Sequence, residues 1–573
     1  MRRTRPMLAA ASAIVLAAST ACNPEPRGEP SPYITELLSG AEGSVVLELP
    51  GGDTLVVSAP VVEFYRERRY RQAWTDYDEI RDRGWTLLEA MERSGADGLD
   101  PERYRYEAAH SLVQQVEHDS IAEDDEPAQM AQVDLVLSEV FGRYANHLAG
   151  GIVDPEVSGV AWTIEKDTVD VRSLLERLAS DEDPAALIDS LRPEAPEYGL
   201  LMEALARYRE IAAAGGWPEV PADVPDEVGA SNPAVAALRQ RLIAEGDAEE
   251  VSLAQAGAGE SARFDASLKQ AVEHFQARHS ITVDGAIGPS TIEQLNTSAD
   301  ERVQQIMLNL DQWRWLPRDL GDRYILVNVA GFEMELVEND SVLLATNVVV
   351  GQEGWETDIF QDTLESIVVN PYWNVPASIE EEEVLPAVRS DPGYLAEEDM
   401  EVLHGDQVVD PSELDWDEVA DGDSPYRFRQ RPGPENALGR VKFLFPNQYD
   451  IYLHDTPAGA LFSESSRAFS HGCIRVEKPL ELARVLMDRV TDTPSSQLDE
   501  LLERDSEQWI QVTEPVPVYV LYFTAWAGRD GTMRFHPDVY ERDQRLEEQA
   551  ERRLHSRSER SSTAAPLALG GTP

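Results

Sequence analysis

Cys473 sits in Ser470-His471-Gly472-Cys473-Ile474-Arg475-Val476 and is one of only two cysteines in the 573-residue chain, the other being Cys22 near the start. A thiol that follows a glycine and lies near two histidines is a candidate nucleophile. His454, in Tyr452-Leu453-His454-Asp455-Thr456-Pro457, stands nineteen positions upstream and His471 two positions upstream. Attack on an amide carbonyl requires a partly ionised thiol. A free thiol has a pKa of about 8.5, and a neighbouring imidazolium lowers it. The same imidazole then returns a proton to the departing amine and takes one from the incoming group, which suits a side chain titrating near neutrality. Gly472 leaves room beside the sulfur, and backbone N–H groups around Gly472 and Cys473 are candidate oxyanion donors, each worth about 3 kcal/mol. On a strand, His471 and Cys473 would share a face, so spacing alone leaves the base open between the two histidines. A core cysteine would not need the flanking Ser-His-Gly, and a zinc site would need a further ligand that these segments do not offer. No metal and no cofactor are expected.

These residues need a rigid frame. From about 302 to 524 the sequence runs in short β-like stretches: Tyr324 to Val329, Phe332 to Val337, Val342 to Val350, Ser366 to Asn370 and Val441 to Phe445. The first two are joined by Ala330-Gly331 and the next pair by Asn339-Asp340, both suited to hairpins. Leu480 to Val490 reads as a helix behind the cysteine segment. Between 377 and 439 the β texture is lost to Glu380-Glu381-Glu382-Glu383, several prolines and the cluster Arg427-Phe428-Arg429-Gln430-Arg431. This stretch is expected to be an insertion over the β domain, serving as a lid or as a solvated acidic excursion. Its arginines would hold a substrate carboxylate or balance neighbouring acids.

Upstream, residues 31–209 are mainly helical in pattern. Val133, Val136, Leu137, Val140, Phe141, Tyr144 and Leu148 recur at three- and four-residue steps, marking one buried face of a helix in a scaffold domain. A Pro- and Gly-rich linker precedes a compact unit at 232–297. There Ala271 to Gln276 reads as an amphipathic helix, Asp284 to Pro289 as a turn and Thr291 to Leu295 as a second helix. The expected class is α+β multidomain, with a charged, disordered tail over 525–573.

Arg2, Arg3 and Arg5 precede an apolar run from Met7 to Ala18, too short to span a bilayer, so residues 1–22 read as an export signal. Cys22 stands where a lipoprotein signal places its acylated cysteine, although Ser19 occupies a position that usually carries an aliphatic residue. The chain is therefore expected in the periplasm, with membrane anchoring through Cys22 as the companion expectation. With 49 basic and 106 acidic residues the net charge is −57, which repels nucleic acid.

Phe275-Gln276, Ile281, Asp284-Gly285, Ile287-Gly288, Thr291 and Leu295 resemble the three-helix peptidoglycan-binding module of bacterial wall enzymes. The pair Ile451-Tyr452-Leu453-His454-Asp455-Thr456-Pro457 and Ser470-His471-Gly472-Cys473-Ile474-Arg475-Val476 resembles the L,D-transpeptidases, and the order of scaffold, wall-binding module, catalytic domain and insertion is similar to the large Gram-negative members. That resemblance implies a helical scaffold domain, a three-helix binding domain and a β-rich catalytic domain with a lid insertion. It implies Cys473 as nucleophile, His454 as proton donor and acceptor, His471 as accessory, the Gly472 backbone at the oxyanion, and Tyr452, Trp373 and Arg475 as substrate contacts. Trp373 lies in Asn370-Pro371-Tyr372-Trp373-Asn374-Val375-Pro376, which also fits that architecture. The implied reaction releases terminal D-alanine from a tetrapeptide stem through a cysteinyl thioester and forms a 3→3 crosslink. An L,D-carboxypeptidase or crosslink hydrolase with the same nucleophile is the alternative, and a non-catalytic wall-binding scaffold is a second. Stem peptides, glycan and wall-synthesis enzymes are the implied partners, and carbapenems the implied inhibitors.

Overall fold

The computed structural model describes residues 31–549 apart from 40–44, 77–78, 118–125, 154, 156–161, 165–168, 181, 250–260, 392, 417–418 and 420–424. The export signal with Cys22 and residues 550–573 of the expected tail lie outside the described residues. The chain divides into two compact units, one built from residues up to Leu87, Ala108–Glu139 and Val171–Leu187, the other from Leu88–Glu107, Val140–Asp170 and the chain from Ile188 onward.

In the first unit a hairpin, Val45–Glu48 with Thr54–Val57, accompanies helices Pro32–Ser39, Ala59–Glu67 and Val171–Ala179. Its centre is polar. The fully buried Asp134 carboxylate accepts from Tyr65 Oη at 2.5 Å, from the backbone N–H groups of Ala73, Trp74 and Thr75 at 2.7, 3.0 and 2.9 Å, and from Thr75 Oγ1 at 2.7 Å. Five donors converging on one carboxylate pin the turn after Ala59–Glu67 to the helix Glu126–Gly150.

In the second unit the three helices of the binding module are Pro233–Glu245, Ala266–Arg278 and Pro289–Asn296. Asn232 and Asp265 cap the first two through their side chains. Gln276 organises the turn between the last two, donating to the Ala286 carbonyl at 2.7 Å and accepting from Gly285 N–H at 2.8 Å. Gly285 has φ +69°, and a Cβ there would lie 2.5 Å from Lys269, so the turn requires glycine.

The β domain consists of β1 (Arg323–Asn328), β2 (Glu333–Glu338), β3 (Ser341–Gly351), β4 (Phe360–Val369), β5 (Val441–Leu444), β6 (Leu453–His454), β7 (Ala468–Ser470), β8 (Ile474–Val476) and β9 (Gln508–Leu521). Their order is β7-β3-β8-β6-β5-β4-β9-β1-β2, and β2 also pairs with β3, so the pairing closes on itself. The early part of β3 pairs with β2 and its last residues with β8 and β7. Asn339 and Asp340 turn the β2–β3 hairpin with φ of 48° and 59°. Helix Pro479–Val490 packs behind, burying Leu482, Ala483, Leu486, Met487 and Val490.

The insertion is a folded body rather than an acidic excursion. Strands Trp373–Asn374, Met400–His404, Gln407–Val409 and Tyr426–Gln430 form their own sheet. Val375, Val384, Val388, Leu395, Val402 and Phe428 form its core. Its arginines balance neighbouring acids: Arg427 pairs with Glu380 at 3.3 Å, Arg429 with Glu401 at 2.5 Å and Arg431 with Asp399 at 2.9 Å.

The expected tail is corrected over residues 525–549. They are part of the fold, with strands Ala525–Ala527 and Met533–Phe535 paired and Ala525, Trp526, Phe535, Tyr540 and Leu546 in the same hydrophobic core as the β domain. The Trp313 ring stacks on Phe523 at 4.9 Å and lies 5.7 Å from Trp526. Widely spaced aromatic anchors outweigh the polar composition between them.

Candidate active site

Period-two alternation builds the site. Val441 and Phe443 on β5, Leu453 on β6, and Ile474 and Val476 on β8 are buried in the core. Lys442, His454 and Arg475 must therefore face the other way. The register aligns them, since Lys442 lies opposite His454 across β5 and β6, and His454 opposite Arg475 across β6 and β8. Tyr452 shares this face, two residues before His454, with the two rings 5.7 Å apart edge to face. The result is one row of groups across three strands, with Cys473 immediately before β8.

Cys473 is half-buried and lies between β7 and β8 rather than on a strand, so strand alternation does not relate it to His471. The preceding Gly472 has φ +105°, a conformation that excludes most other residues, although a Cβ would find its nearest atom at 3.7 Å. Conformation, not crowding, is the need for glycine. The Gly472 amide donates to Ser470 Oγ at 3.2 Å, and the Ser470 hydroxyl donates to the Cys473 carbonyl at 2.5 Å. The oxyanion donor expected at Gly472 is thus already engaged in holding the turn. Among the described residues the Cys473 N–H has no hydrogen-bond partner, which leaves it as the donor at this position.

The sulfur lies 3.7 Å from the Asp450 carbonyl and takes hydrogen bonds from Tyr452. The Trp373 indole in turn bonds the Tyr452 hydroxyl. Burial pushes the thiol pKa up, while the Tyr452 bonds and the cations Lys442 and Arg475 pull it back. Burial also pushes the Tyr452 phenol well above its ordinary value, with further rise from the charge of Cys473, so the hydroxyl stays protonated as a donor.

His454 is buried. Its Nδ1 bonds the Asp455 backbone carbonyl at 2.5 Å, and since a carbonyl only accepts, Nδ1 carries the proton and Nε2 is the basic nitrogen. The Asp455 carboxylate does not orient the ring; it accepts from the N–H groups of Arg440 and Thr456, both at 2.7 Å. Burial first, then Arg475 and Lys442, hold the imidazole down to about 3, so it is neutral at physiological pH. Among the described residues no hydrogen bond joins His454 to Cys473.

His471 is engaged elsewhere. Its Nε2 meets Glu383 of the insertion at 2.8 Å, and its ring packs edge to face on Trp355 at 5.1 Å. Arg475 has no ion pair among the described residues, and its Nε is buried without a partner. Lys442, which the motif reading did not single out, places Nζ 3.6 Å from the Tyr452 ring centroid. The available signal was its rarity: one of four lysines among 49 basic residues, set between the core residues Val441 and Phe443.

Behind the turn, Thr357 Oγ1 donates to the Gly472 carbonyl at 2.8 Å and accepts from Gly351 N–H at 2.9 Å. Tyr540 Oη donates to the Gly351 carbonyl, and Arg542 to the Thr357 carbonyl at 3.0 Å. The C-terminal segment thus supports the loop that holds the cysteine turn.

Residues 322–517, which contain this row and the cysteine turn, match a family model described as "L,D-transpeptidase catalytic domain". The chain carries an L,D-transpeptidase domain. Residues 231–295 match "Putative peptidoglycan binding domain" and residues 59–205 match "Scaffold domain". A Haemophilus influenzae protein named "Putative L,D-transpeptidase" is 33% identical over 252 residues, covering 44% of this chain and 50% of that protein. The aligned part therefore spans half the length of that curated relative. Among solved structures, an L,D-transpeptidase from Mycobacterium smegmatis is 11% identical over 35% of this chain and 58% of its own, with a TM-score of 0.17. The L,D-transpeptidase (residues 123–326) from Xylanimonas cellulosilytica is 14% identical over 53% of this chain and 98% of its own, with a TM-score of 0.15. At such scores neither structure adds to the assignment. The L,D-transpeptidase domain holds six of the seven site residues expected from sequence, Cys473, Gly472, Tyr452, His454, Trp373 and Arg475, on or beside one face, with His471 turned to the insertion.

Proposed function

We propose that this chain forms 3→3 crosslinks in peptidoglycan through a thioester on Cys473. The carrying observation is the half-buried thiol that ends the row Lys442–His454–Arg475, bonded to Tyr452, with an imidazole in the same row whose Nε2 is the unprotonated nitrogen. Sulfur attacks the carbonyl of the third stem residue. The thiol proton passes to His454 Nε2 and on to the nitrogen of the departing D-alanine as the C–N bond breaks. An amine of a neighbouring stem then attacks the thioester, His454 accepts its excess proton, and sulfur leaves as the new amide forms. The Cys473 N–H supplies one donor to the oxyanion.

Supporting a wall substrate are the peptidoglycan-binding match and the transpeptidase match within one chain. The contacts of Trp373 with Tyr452 and of Glu383 with His471 support the insertion as a lid that keeps water from the thioester. Export to the periplasm and lipidation at Cys22 belong to the same proposal and rest on the N-terminal sequence. Among the described residues no helix is long and apolar enough to cross a membrane.

Incubation with tetrapeptide muropeptides followed by mass spectrometry tests the reading. A 3→3 dimer made by wild type and not by Cys473→Ala is expected. Tripeptide without dimer points to the hydrolytic alternative, and no product with intact sacculus binding points to a scaffold.

A further inference from the structure

Lys442 is an ammonium held in a costly place. It is half-buried on β5, lies opposite His454 across the strand pair, and sits 3.6 Å over the Tyr452 ring. No ion pair reaches it among the described residues. The carboxylates of Asp450 and Glu507 act on it only at longer range, and Glu507 is occupied with the Tyr372 N–H and the Trp509 indole N–H. Drawing a charge partly out of water without a counterion carries a cost that some other interaction has to offset. The ring beneath it belongs to the same Tyr452 whose side chain bonds the Cys473 sulfur. The other cation acting on the sulfur is Arg475, and His454, in the same row, is neutral, so the imidazole supplies no positive charge at rest.

We infer that Lys442 is a positioning residue for the L,D-transpeptidase reaction: its ammonium, seated on the face of Tyr452, is the resident counter-charge that favours Cys473 as a thiolate. This rests on Cys473 being the nucleophile. The pairing has a cycle. When sulfur donates its electron pair to the stem carbonyl the thiolate charge disappears into the neutral thioester, and when the acceptor amine displaces sulfur the charge returns beside the same ammonium. Lys442 therefore favours the attacking form in the first half-reaction and the leaving form in the second. A guanidinium keeps the charge and stacks on an aromatic face, so arginine should substitute.

The test is the pH dependence of iodoacetamide alkylation, mapped by mass to the peptide containing Cys473, on the full chain without substrate. Cys473→Ala serves as the blank. Lys442→Met is expected to raise the half-alkylation pH by about one unit, a ten-fold loss of thiolate at neutral pH, while Lys442→Arg keeps the wild-type profile. Lys442→Gln, with the same expected shift, replaces the methionine variant if that variant does not fold. An unmoved midpoint in both neutral variants overturns the inference, and so does an arginine variant shifted as far as they are. A neutral variant with wild-type alkylation and a raised KM alone also overturns it, because that marks Lys442 as a substrate-carboxylate contact. If wild-type Cys473 is not alkylated at any pH up to about 10, the nucleophile reading itself fails.

Discussion

Tyr452→Phe removes one atom from the site and little else. The ring that carries Lys442 at 3.6 Å and meets His454 at 5.7 Å remains, and only the hydroxyl between Trp373 and the sulfur is lost. A hydrogen bond to a charged acceptor contributes about 1.5–3 kcal/mol, and this one is strongest when sulfur is ionised. At 1.36 kcal/mol per unit, the thiol pKa should rise by about one to two units. Because the phenol is itself held well above its ordinary value, it donates throughout the working range, and the loss should appear at every pH below the thiol midpoint. Alkylation of Cys473 as a function of pH gives the shift directly. Turnover of a tetrapeptide at pH 7 should fall about ten-fold or more. An unmoved alkylation midpoint would refute the reasoning. Turnover lost with alkylation unchanged would return Tyr452 to the substrate contact that the family resemblance implies.

Acid should destabilise the fold before carboxylates protonate: His279, His454 and His536 are buried with depressed pKa values, the last two at about 3, so unfolding takes up protons below about pH 6.5. Asp543, raised to about 7, opposes one of the three, and Glu333, Glu335, Asp358 and Asp455, also raised by burial, act in the same sense, so urea unfolding midpoints should fall from pH 6.5 to 5 by less than three histidines alone would give. Glu383→Gln cuts a half-exposed pair, so the melting temperature should hold while turnover changes less than about five-fold and hydrogen exchange rises at Glu380–Val384. Asp134→Ala leaves five donors facing an empty centre and should cost about 3–5 kcal/mol in urea unfolding read by hydrogen exchange at Ala73, Trp74 and Thr75. Ending the chain at Thr524 uncovers Trp313 and removes Tyr540 and Arg542; loss of turnover with a lowered unfolding midpoint is expected against the full chain.

What could be read from the sequence was whatever chemistry confines to adjacent positions. The cysteine turn needs Ser470 to hold Gly472, and Gly472 for its positive φ, so the four residues announce themselves together. Hairpins at Asn339-Asp340 and the helix before Val490 likewise follow from local turn chemistry and periodicity. Lys442, Trp373 and Glu383 reach the site from 31, 100 and 90 positions before Cys473 in the chain, and only sheet register and the fold of the insertion bring them there. Over 525–549 the expected tail failed for a related reason. Its polar residues outnumber its apolar ones, but Trp526, Phe535 and Tyr540 each fill a place in a core assembled from segments more than two hundred residues apart.

The insertion and the C-terminal segment reach different residues of the same turn, and that division assigns different work to each. The C-terminal side reaches Gly472 through buried bonds, Tyr540 and Arg542 to Gly351 and Thr357, and Thr357 to the Gly472 carbonyl. Groups removed from water in this way open only at the cost of leaving donors unpaired, which makes this side a fixed support. The insertion reaches the site through the half-exposed pair of Glu383 with His471 and through Trp373, half-buried itself, bonding Tyr452. Such contacts break and reform cheaply, within about 1 kcal/mol for the ion pair. In the proposed reaction a wall peptide has to enter beside Cys473 twice per cycle, first as donor and then as acceptor. The side that can yield is the insertion, and the side that keeps the thiol aligned while it does so is the segment from 525 to 549.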